Sequence, residues 1–365
     1  MSEMSETNNV LVEVNDLRVQ FDVRDGIVKA VDGATFSVRR GQTLGVIGES
    51  GCGKSVTARA ILGMVPRPGQ VVGGSILYHR RIKSNGTEMT DIVNINDLNP
   101  DGETIRQIRG GEIAMIFQEP MSSLTPVYTA GTHIFEAVNL HRLMPIHKVG
   151  AQMTETIQAH REVTKEEARD IAIDMLRRVG IPKPEQRVDS YPHQLSGGQR
   201  QRVMIAIALS CHPNMLIADE PTTALDVSIE AQILDIMREL QETVDMAIMF
   251  ITHDLGVIAE MAEEIVVMYM GKVVEKANAV EIFYESKHPY TRALLKSIPT
   301  IGKKRRKRLA SIEGMVPDPF DLPSGCVFHP RCPEFMPGKC DQIVPSWTQV
   351  EGEEHWARCL LYEEV

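Results

Sequence analysis

A glycine-rich segment at residues 48–55 contains the residue types that most directly indicate chemistry. It reads Gly48-Glu49-Ser50-Gly51-Cys52-Gly53-Lys54-Ser55, the full pattern G-x-x-x-x-G-K-S. In such a loop, backbone N–H groups converge on phosphate oxygens, Lys54 adds a positive charge at the β- and γ-phosphates, and the Ser55 hydroxyl can ligate Mg²⁺. We expect glycine at positions 48 and 53 because a side chain there would obstruct the phosphate cradle. The segment therefore predicts a nucleotide site.

A pair of carboxylates provides the second element of chemistry. Asp219 and Glu220 follow the apolar residues 215–218, and ligands of α/β folds lie at the carboxyl ends of strands. We predict that Asp219 holds Mg²⁺, directly or through water, and that Glu220 polarises the water that attacks the γ-phosphate. An Asp-Glu pair is otherwise an ordinary strand exit, and the upstream phosphate loop favours the catalytic interpretation.

Hydrophobic patterns predict the elements that must position these residues. An apolar run at residues 43–47 enters the glycine-rich loop as a strand. A helical pattern begins at Val56, so its N-terminus and dipole face the phosphates. Further strand-sized apolar runs alternate with helical patterns at residues 113–117, 214–218 and 246–251. This alternation predicts a parallel α/β architecture.

Two stretches depart from that alternation. Residues 79–109 are polar and rich in Asn and Asp, which predicts a surface excursion. Helix formers dominate after residue 131, and Thr164 and Glu167 have the spacing of a capping box. We interpret residues 131 to about 200 as an inserted helical subdomain.

Composition limits the classes of function. The net charge is −10, from 49 acidic and 39 basic residues, which disfavours broad nonspecific binding to nucleic acid. No run approaches the roughly 18 apolar residues of a spanning helix, and the first residues lack the pattern of a secretory signal. We therefore expect a cytosolic chain that reaches any membrane through a partner.

Several further motifs resemble those of ABC-type ATPases. The segment Leu195-Ser196-Gly197-Gly198-Gln199 is similar to their signature sequence. Gln118 matches their Q-loop, Leu225-Asp226 their D-loop and His253 their switch histidine. Together with the phosphate loop, these motifs follow the order expected of that family. The resemblance implies a P-loop NTPase fold, in which Gln118 reaches Mg²⁺ and senses a transmembrane partner, while His253 hydrogen-bonds the γ-phosphate and the attacking water.

The same resemblance implies an assembly. ABC domains dimerise head to tail, so that residues 195–199 contact the ATP bound to the phosphate loop of a second subunit. One chain alone would then contain only half-sites. Phe21 occupies the position at which ABC proteins often stack an aromatic ring on adenine, although an aromatic residue at strand spacing also suits a core role.

Two segments indicate a subgroup. Residues 117–126 and the tail segment His288-Pro289-Tyr290-Thr291-Arg292-Ala293-Leu294-Leu295 resemble ATP-binding subunits of oligopeptide, dipeptide and nickel importers. Thr125 is a departure, since relatives are expected to carry Asn there. We therefore expect an ABC ATPase domain at residues 10–287 and an importer-type C-terminal extension at residues 288–365.

The importer resemblance also implies partners and a location. These are two transmembrane permeases, a second and related ABC ATPase, and an extracytoplasmic substrate-binding protein, with this chain peripheral to the cytoplasmic face of the inner membrane. The cargo, whether peptide, oligosaccharide or nickel, stays open. The alternative is a soluble ABC ATPase that acts on nucleic acid or ribosomes. Such proteins usually carry two cassettes, whereas this chain has one phosphate loop and one signature.

Four cysteines are clustered near the C-terminus, with intervening gaps that match neither paired zinc knuckles nor a ferredoxin run. They are Cys326, Cys332, Cys340 and Cys359. The pattern resembles the cysteine-rich extension of the importer family, which in some members is associated with an iron–sulfur cluster. Four thiolates suit [4Fe–4S] or Zn²⁺ by count, and unliganded thiols are the third alternative. His329 and His355 are near enough in sequence to be alternative ligands, but we favour surface positions for both.

Overall fold

The computed structural model describes residues 9–84, 87–117, 147–222, 225–297, 312–351 and 354–363. The chain divides into two units. The first, here called the P-loop unit, comprises residues 10–37, 43–96 and 251–365. The second, the signature unit, comprises residues 1–9, 38–42 and 97–250.

A four-stranded sheet with the order β2-β1-β4-β5 forms one layer of the P-loop unit. Strand β4 pairs antiparallel with both β1 and β5. The strands are β1 (Val10–Val23), β2 (Gly26–Arg39), β4 (Gly69–Ser84) and β5 (Thr87–Asn94). Their alternation of buried and more exposed residues is typical of a sheet that packs on a core through one face.

A second group of strands in the P-loop unit has the order β11-β12-β10-β9-β3. It contains β3 (Thr43–Ile47), β9 (Glu264–Tyr269), β10 (Lys272–Asn278), β11 (Thr348–Glu351) and β12 (His355–Ala357). Strand β3 runs parallel to β9, and every residue of both strands is buried. The helices of this unit are α1 (Lys54–Ile61), α8 (Leu255–Met261), α9 (Ala279–Glu285) and α10 (Pro289–Lys296). The predicted strand into the glycine-rich loop is thus confirmed as β3.

The signature unit contains three strands in the order β8-β7-β6, with β6 parallel to β7. These are β6 (Ile113–Ile116), β7 (Met215–Asp219) and β8 (Ala247–Ile251), and all their residues are buried. The helices are α2 (Glu103–Gln107), α3 (Val149–His160), α4 (Lys165–Arg178), α5 (Pro184–Arg187), α6 (Gly197–Leu209) and α7 (Val227–Val244). The fully buried parallel strands confirm the predicted α/β class.

The capping box predicted from sequence begins α4. Thr164 Oγ1 accepts a hydrogen bond from the Glu167 N–H at 3.2 Å, and Glu167 Oε2 accepts one from the Thr164 N–H at 2.8 Å. The hydrogen bonds that the Thr164 N–H and hydroxyl donate to this carboxylate lower the pKa of Glu167. The buried residues of α4 recur at helical spacing, as Ala168, Ala172, Met175 and Leu176. Of the predicted helical subdomain, residues 131–146 lie outside the described residues, and its boundaries stay a prediction.

Residues 79–109, predicted to be a polar surface excursion, are mostly exposed or half-buried where the structure describes them, but they include strand structure that was not predicted. Strand β4 continues to Ser84, and β5 pairs with it from Thr87 to Asn94. The polar residues of this hairpin are accommodated because the cross-strand ladder satisfies the backbone while one face stays exposed, as at Ile92. Across the described residues, no helix has the length and apolar character needed to cross a bilayer.

Candidate functional site

The glycine-rich loop connects β3 to α1 and begins with a crowded glycine. A Cβ at Gly48 would lie 2.2 Å from the Met268 carbonyl oxygen, and one at Gly53 would lie 2.3 Å from that of Ala30. Both glycines have positive φ, 151° and 101°. Contacts with neighbouring backbone therefore already require glycine at these positions. The sequence analysis explained these glycines only by the space that a phosphate needs, and it did not anticipate the contacts with the chain's own backbone.

Lys54 is the central charge of the loop. Its buried Nζ donates hydrogen bonds to the carbonyl oxygens of Gly48 at 2.7 Å and Glu49 at 3.0 Å. It also lies 3.6 Å from Cys52 Sγ. Burial raises the pKa of the Cys52 thiol, and the Lys54 ammonium opposes that rise. Lys54 thus holds the first residues of the loop through their carbonyl oxygens. Its ammonium also lies near the backbone groups expected to bind phosphate.

The outer part of the loop is accessible. Ser50 and Gly51 are exposed, whereas Ser55 and Val56 are half-buried in the first turn of α1. The Thr57 hydroxyl donates to the Gly53 carbonyl at 2.9 Å, which anchors the start of the helix. The loop therefore presents its tip and the helix N-terminus outward, which is the arrangement that suits an anion.

Glu49 has two partners that sequence analysis did not identify. Its backbone N–H donates to the Tyr290 hydroxyl at 2.8 Å. Its carboxylate accepts two hydrogen bonds from the Arg331 guanidinium, at 2.7 and 3.0 Å. The tail motif around Tyr290 signalled only a family resemblance, and no local pattern pointed to Arg331. Both partners belong to the predicted C-terminal extension.

Phe21 and His253 are the other predicted site residues of the P-loop unit. Phe21 is half-buried in β1 and its ring packs beside Gly69, its partner on β4. This packing is compatible with both of the roles considered from sequence. His253 is exposed and directly precedes Asp254, which caps α8 by accepting hydrogen bonds from the N–H groups of Gly256 and Val257.

The predicted carboxylates belong to the signature unit. Asp219 is the last residue of β7, with 2 % of its surface exposed, and Glu220 is half-buried with φ of +49°. Left-handed backbone at a residue other than glycine is uncommon and is concentrated at functional sites. Asp226 is the exposed N-cap residue of α7, and its neighbour Val227 is 82 % exposed.

The segment at residues 195–199 forms the start of α6. Leu195 is buried, and Ser196 caps the helix: its hydroxyl accepts from the Gln199 N–H at 3.3 Å, while the Gln199 side chain accepts from the Ser196 N–H at 3.2 Å. The helix begins at Gly197. Among the described residues, a Cβ at Gly197 would meet no heavy atom within 4 Å outside its chain neighbours and its own helix backbone. Gly198 is half-buried in the same first turn.

Comparison with known proteins decides the family. The family model of ABC transporters matches residues 31–223, and that of the oligopeptide/dipeptide transporter C-terminal region matches residues 274–340. The chain belongs to the ABC transporter family. This ABC protein is an ATPase of the P-loop NTPase fold, as its phosphate loop and parallel strands indicate.

The relatives agree with this assignment, and a solved structure agrees with the fold. The ABC protein is 44% identical over 336 residues to the dipeptide transport ATP-binding protein DppD of Haemophilus influenzae, covering 92% of this chain and 91% of the relative. It is 45% identical to the oligopeptide transport ATP-binding protein AppD of Bacillus subtilis, covering 98% of each. A dimeric ATP-binding cassette solved with ADP and phosphate superimposes with a TM-score of 0.59 at 22% identity, over 74% of this chain and 99% of that one. That likeness supports the fold.

The site residues of this ABC protein are thus distributed between two units. Phe21, the phosphate loop and His253 belong to the P-loop unit, whereas Asp219, Glu220, Asp226 and residues 195–199 belong to the signature unit. Gln118 lies outside the described residues, as does most of the segment 117–126. Sequence analysis missed Gln201, whose buried side-chain amide donates to the Pro221 carbonyl at 2.9 Å and so ties α6 to the residue after Glu220.

The four C-terminal cysteines of the ABC protein are free thiols, of which Cys340 and Cys359 are buried. Burial raises the pKa of Cys332 to about 11 and of Cys359 to about 12, and neighbouring thiolates, Cys326 among them, add to both shifts. Among the described residues, no group of three or more His, Cys, Asp or Glu is arranged to hold a metal ion. The expectation of an iron–sulfur or zinc site is therefore not supported by this arrangement. The expected surface position of His355 was wrong, because its ring is buried and pairs with Glu275. His329 is half-buried and lies beside the Cys326 carbonyl.

Proposed function

We propose that this chain is the ATP-hydrolysing motor subunit of an importer of di- or oligopeptides. The observation that carries the proposal is the similarity to the dipeptide and oligopeptide transport proteins over more than nine-tenths of the chain, including the region 274–340 that matches the oligopeptide/dipeptide transporter family. Cargo then passes through two separate permeases. A substrate-binding protein delivers it outside, and this chain is peripheral to the cytoplasmic face of the inner membrane.

The proposed reaction is hydrolysis of Mg²⁺-bound ATP. The hydroxyl of Ser55, the carboxylate of Asp219 and the amide oxygen of Gln118 are hard oxygen donors of the kind that Mg²⁺ prefers. The ion, when bound, neutralises charge on the β- and γ-phosphates. Glu220 orients and polarises the attacking water, and His253 hydrogen-bonds the γ-phosphate.

The remaining roles concern binding and assembly. Residues 48–56 bind the phosphates, and Phe21 stacks on adenine. Residues 195–199 and Asp226 face the ATP of a second ATPase subunit, which we expect to be a related, non-identical chain. The open space around Gly197 supports this assignment, because no atom of the described chain requires glycine there. A phosphate approaching the first turn of α6 would require it.

Copurification tests the importer proposal. The full chain is expressed with an affinity tag in its native cell and extracted in mild detergent. We expect two polytopic membrane proteins and a second ABC ATPase in the eluate, identified by mass spectrometry, and peptide-stimulated ATP hydrolysis once the binding protein is added. Recovery with ribosomes or nucleic acid in place of permeases would overturn the proposal and favour a soluble ABC ATPase.

Substitution of Glu220 tests its catalytic role. Glu220→Gln keeps the shape of the side chain but removes the carboxylate, so we expect ATP hydrolysis to fall by at least about 100-fold while ATP binding is retained. The measurements are phosphate release and binding of a fluorescent ATP analogue. Lys54→Ala is the contrasting variant and should lose nucleotide affinity itself. Hydrolysis by Glu220→Gln at the wild-type rate would remove Glu220 from this role.

We also propose that the four cysteines ligate a [4Fe–4S] cluster, with Zn²⁺ as the alternative metal. The proposal is supported by the number of the cysteines and by their proximity, since burial and then the neighbouring Cys326, Cys332 and Cys340 raise the pKa of Cys359. A bound cation would favour the thiolate form. A UV–visible spectrum of anaerobically purified protein, with metal analysis, decides the matter. A broad absorbance near 400 nm with four irons supports the cluster (~4 Fe per chain by count), colourless zinc protein supports Zn²⁺, and metal-free protein refutes both.

A further inference from the structure

The contact between Arg331 and Glu49 places a cation of the C-terminal extension directly on the phosphate loop. The guanidinium forms a bidentate pair with the carboxylate, at 2.7 and 3.0 Å, and its side chain is only 3 % exposed. It also donates to the Tyr269 hydroxyl at 3.3 Å and lies over the Tyr269 ring. Bidentate, shielded pairs of this kind are strong and geometrically specific.

A carboxylate at position 49 is unfavourable for binding a polyanion, because both carry negative charge. Glu49 is the first residue after Gly48, and its own carbonyl accepts a hydrogen bond from Lys54, the cation expected to reach the phosphates. An unpaired negative charge on this residue would repel ATP and compete for Lys54. The ion pair with Arg331 neutralises that charge while the Glu49 backbone stays in the loop.

The extension reinforces the same residue through a second contact. The Tyr290 hydroxyl accepts the Glu49 N–H at 2.8 Å, and Tyr290 is fully buried. Tyr269, Tyr290 and Phe328 pack together, with ring centroids 4.6 to 5.3 Å apart. The two partners of Glu49 are therefore held by one aromatic cluster, so their positions relative to the loop are set by rigid packing.

We propose that Arg331 is a positioning residue for ATP binding, which neutralises Glu49 and holds the phosphate loop in its binding conformation. This inference rests on the proposed function, since it assigns the extension a part in the affinity of the same site. Arg331 precedes Cys332, so the extension that bears the cysteines is also the element that supports the loop. Loss of the guanidinium should therefore affect nucleotide affinity more than turnover.

The test compares the full-length chain with Arg331→Ala, the double variant Arg331→Ala/Glu49→Gln, and Arg292→Ala. Arg292 is a matched control, because it belongs to the same extension and pairs with Glu334 at 2.8 Å. We measure the Kd of a fluorescent ATP analogue, KM and kcat. We expect Arg331→Ala to raise Kd and KM about tenfold, or ~1.4 kcal/mol, with a smaller change in kcat. Glu49→Gln in that background should recover most of the affinity, and Arg292→Ala should stay within about threefold of wild type.

Several outcomes would overturn the inference. One is unchanged affinity in Arg331→Ala. Another is equal weakening by Arg292→Ala without rescue by Glu49→Gln, which would mean that the extension is merely loosened. If Arg331→Ala does not fold, Arg331→Lys keeps the charge without the bidentate geometry and should show a smaller loss that increases with salt. Failure of the wild-type chain to bind ATP, or binding unaffected by Lys54→Ala, would instead refute the proposed function.

Discussion

The phosphate loop and the signature segment have the same local plan but different surroundings. Each is a glycine-containing turn that opens a helix, α1 in one case and α6 in the other. The phosphate loop is surrounded by its own chain: backbone crowds Gly48, and the C-terminal extension holds Glu49. At Gly197, by contrast, the described chain leaves open space.

The difference indicates that the chain shapes its phosphate loop by itself, whereas the signature segment leaves room for a second molecule. A loop in which neighbouring backbone requires glycine at positions 48 and 53 is preorganised by its own fold. Gly197, where an added Cβ would meet no described atom outside its own helix and chain neighbours, fits a surface that another molecule covers. The two segments therefore predict opposite responses to the same substitution, from glycine to alanine.

Gly48→Ala should have the largest effect. The added Cβ would lie 2.2 Å from the Met268 carbonyl, at a φ of +151° that L residues rarely adopt. Overpacking and backbone strain together should cost about 2–5 kcal/mol and abolish ATP binding. Denaturant unfolding and nucleotide titration check this. A variant with wild-type stability would show that the loop is less constrained by its chain than the contacts indicate.

Gly197→Ala should leave the folded chain intact. No described heavy atom beyond its own helix and chain neighbours lies within 4 Å of the added Cβ. We therefore expect stability within about 0.5 kcal/mol of wild type and unchanged ATP binding by the single chain. Hydrolysis by the assembled transporter should fall about 100-fold, because the methyl group would hinder approach of the partner's phosphate. The assay is ATP hydrolysis by the reconstituted complex. Full activity of Gly197→Ala would contradict the interpretation that the open space at Gly197 faces a partner's phosphate.

Local segments of this site were predictable from sequence, and contacts distant in sequence were not. Strand β3 with its loop and helix, and Asp219 at the end of β7, follow from short apolar runs and from glycine spacing. The hairpin of β4 and β5 was not predicted, because its many polar residues obscure the alternation of apolar and polar positions that indicates a strand. The contact of Arg331 with Glu49 joins residues 282 positions apart, and only tertiary packing brings them together.

Acid should weaken the support of the phosphate loop. Burial lowers the pKa of His288 to about 4; Glu275 opposes that shift, and Arg292 adds to it. His288 Nδ1 accepts the Tyr290 N–H at 3.1 Å, which requires a neutral ring at that nitrogen. The unfolded chain, with a pKa near 6.5, takes up a proton that the folded chain does not. Stability should therefore fall by up to about 1.4 kcal/mol for each pH unit between about 6.5 and 4.

The measurement is the free energy of unfolding at pH 7.5 and at pH 5.5. His288→Asn keeps a helix-capping side chain but does not titrate, so it should lose part of the pH dependence. His193→Asn, at an exposed position of the signature unit, is the control and should keep it. Equal slopes for wild type and His288→Asn would show that other groups, such as the carboxylates, account for the acid sensitivity.

The smallest expected effect is the loss of stability when either of two capping boxes of the signature unit is removed. Ser196 caps α6 and Thr164 caps α4, each through a side-chain oxygen that accepts an N–H three residues later. Replacing either residue by alanine should cost about 1 kcal/mol of stability, since each change removes one cap. Only Ser196→Ala should also reduce ATP hydrolysis, because its hydroxyl is next to Gly197 at the proposed partner-facing surface. Equal activity of the two variants would mean that Ser196 only stabilises the start of α6. Contact with the partner's nucleotide would then depend on Gly197 and on the backbone N–H groups of the first turn.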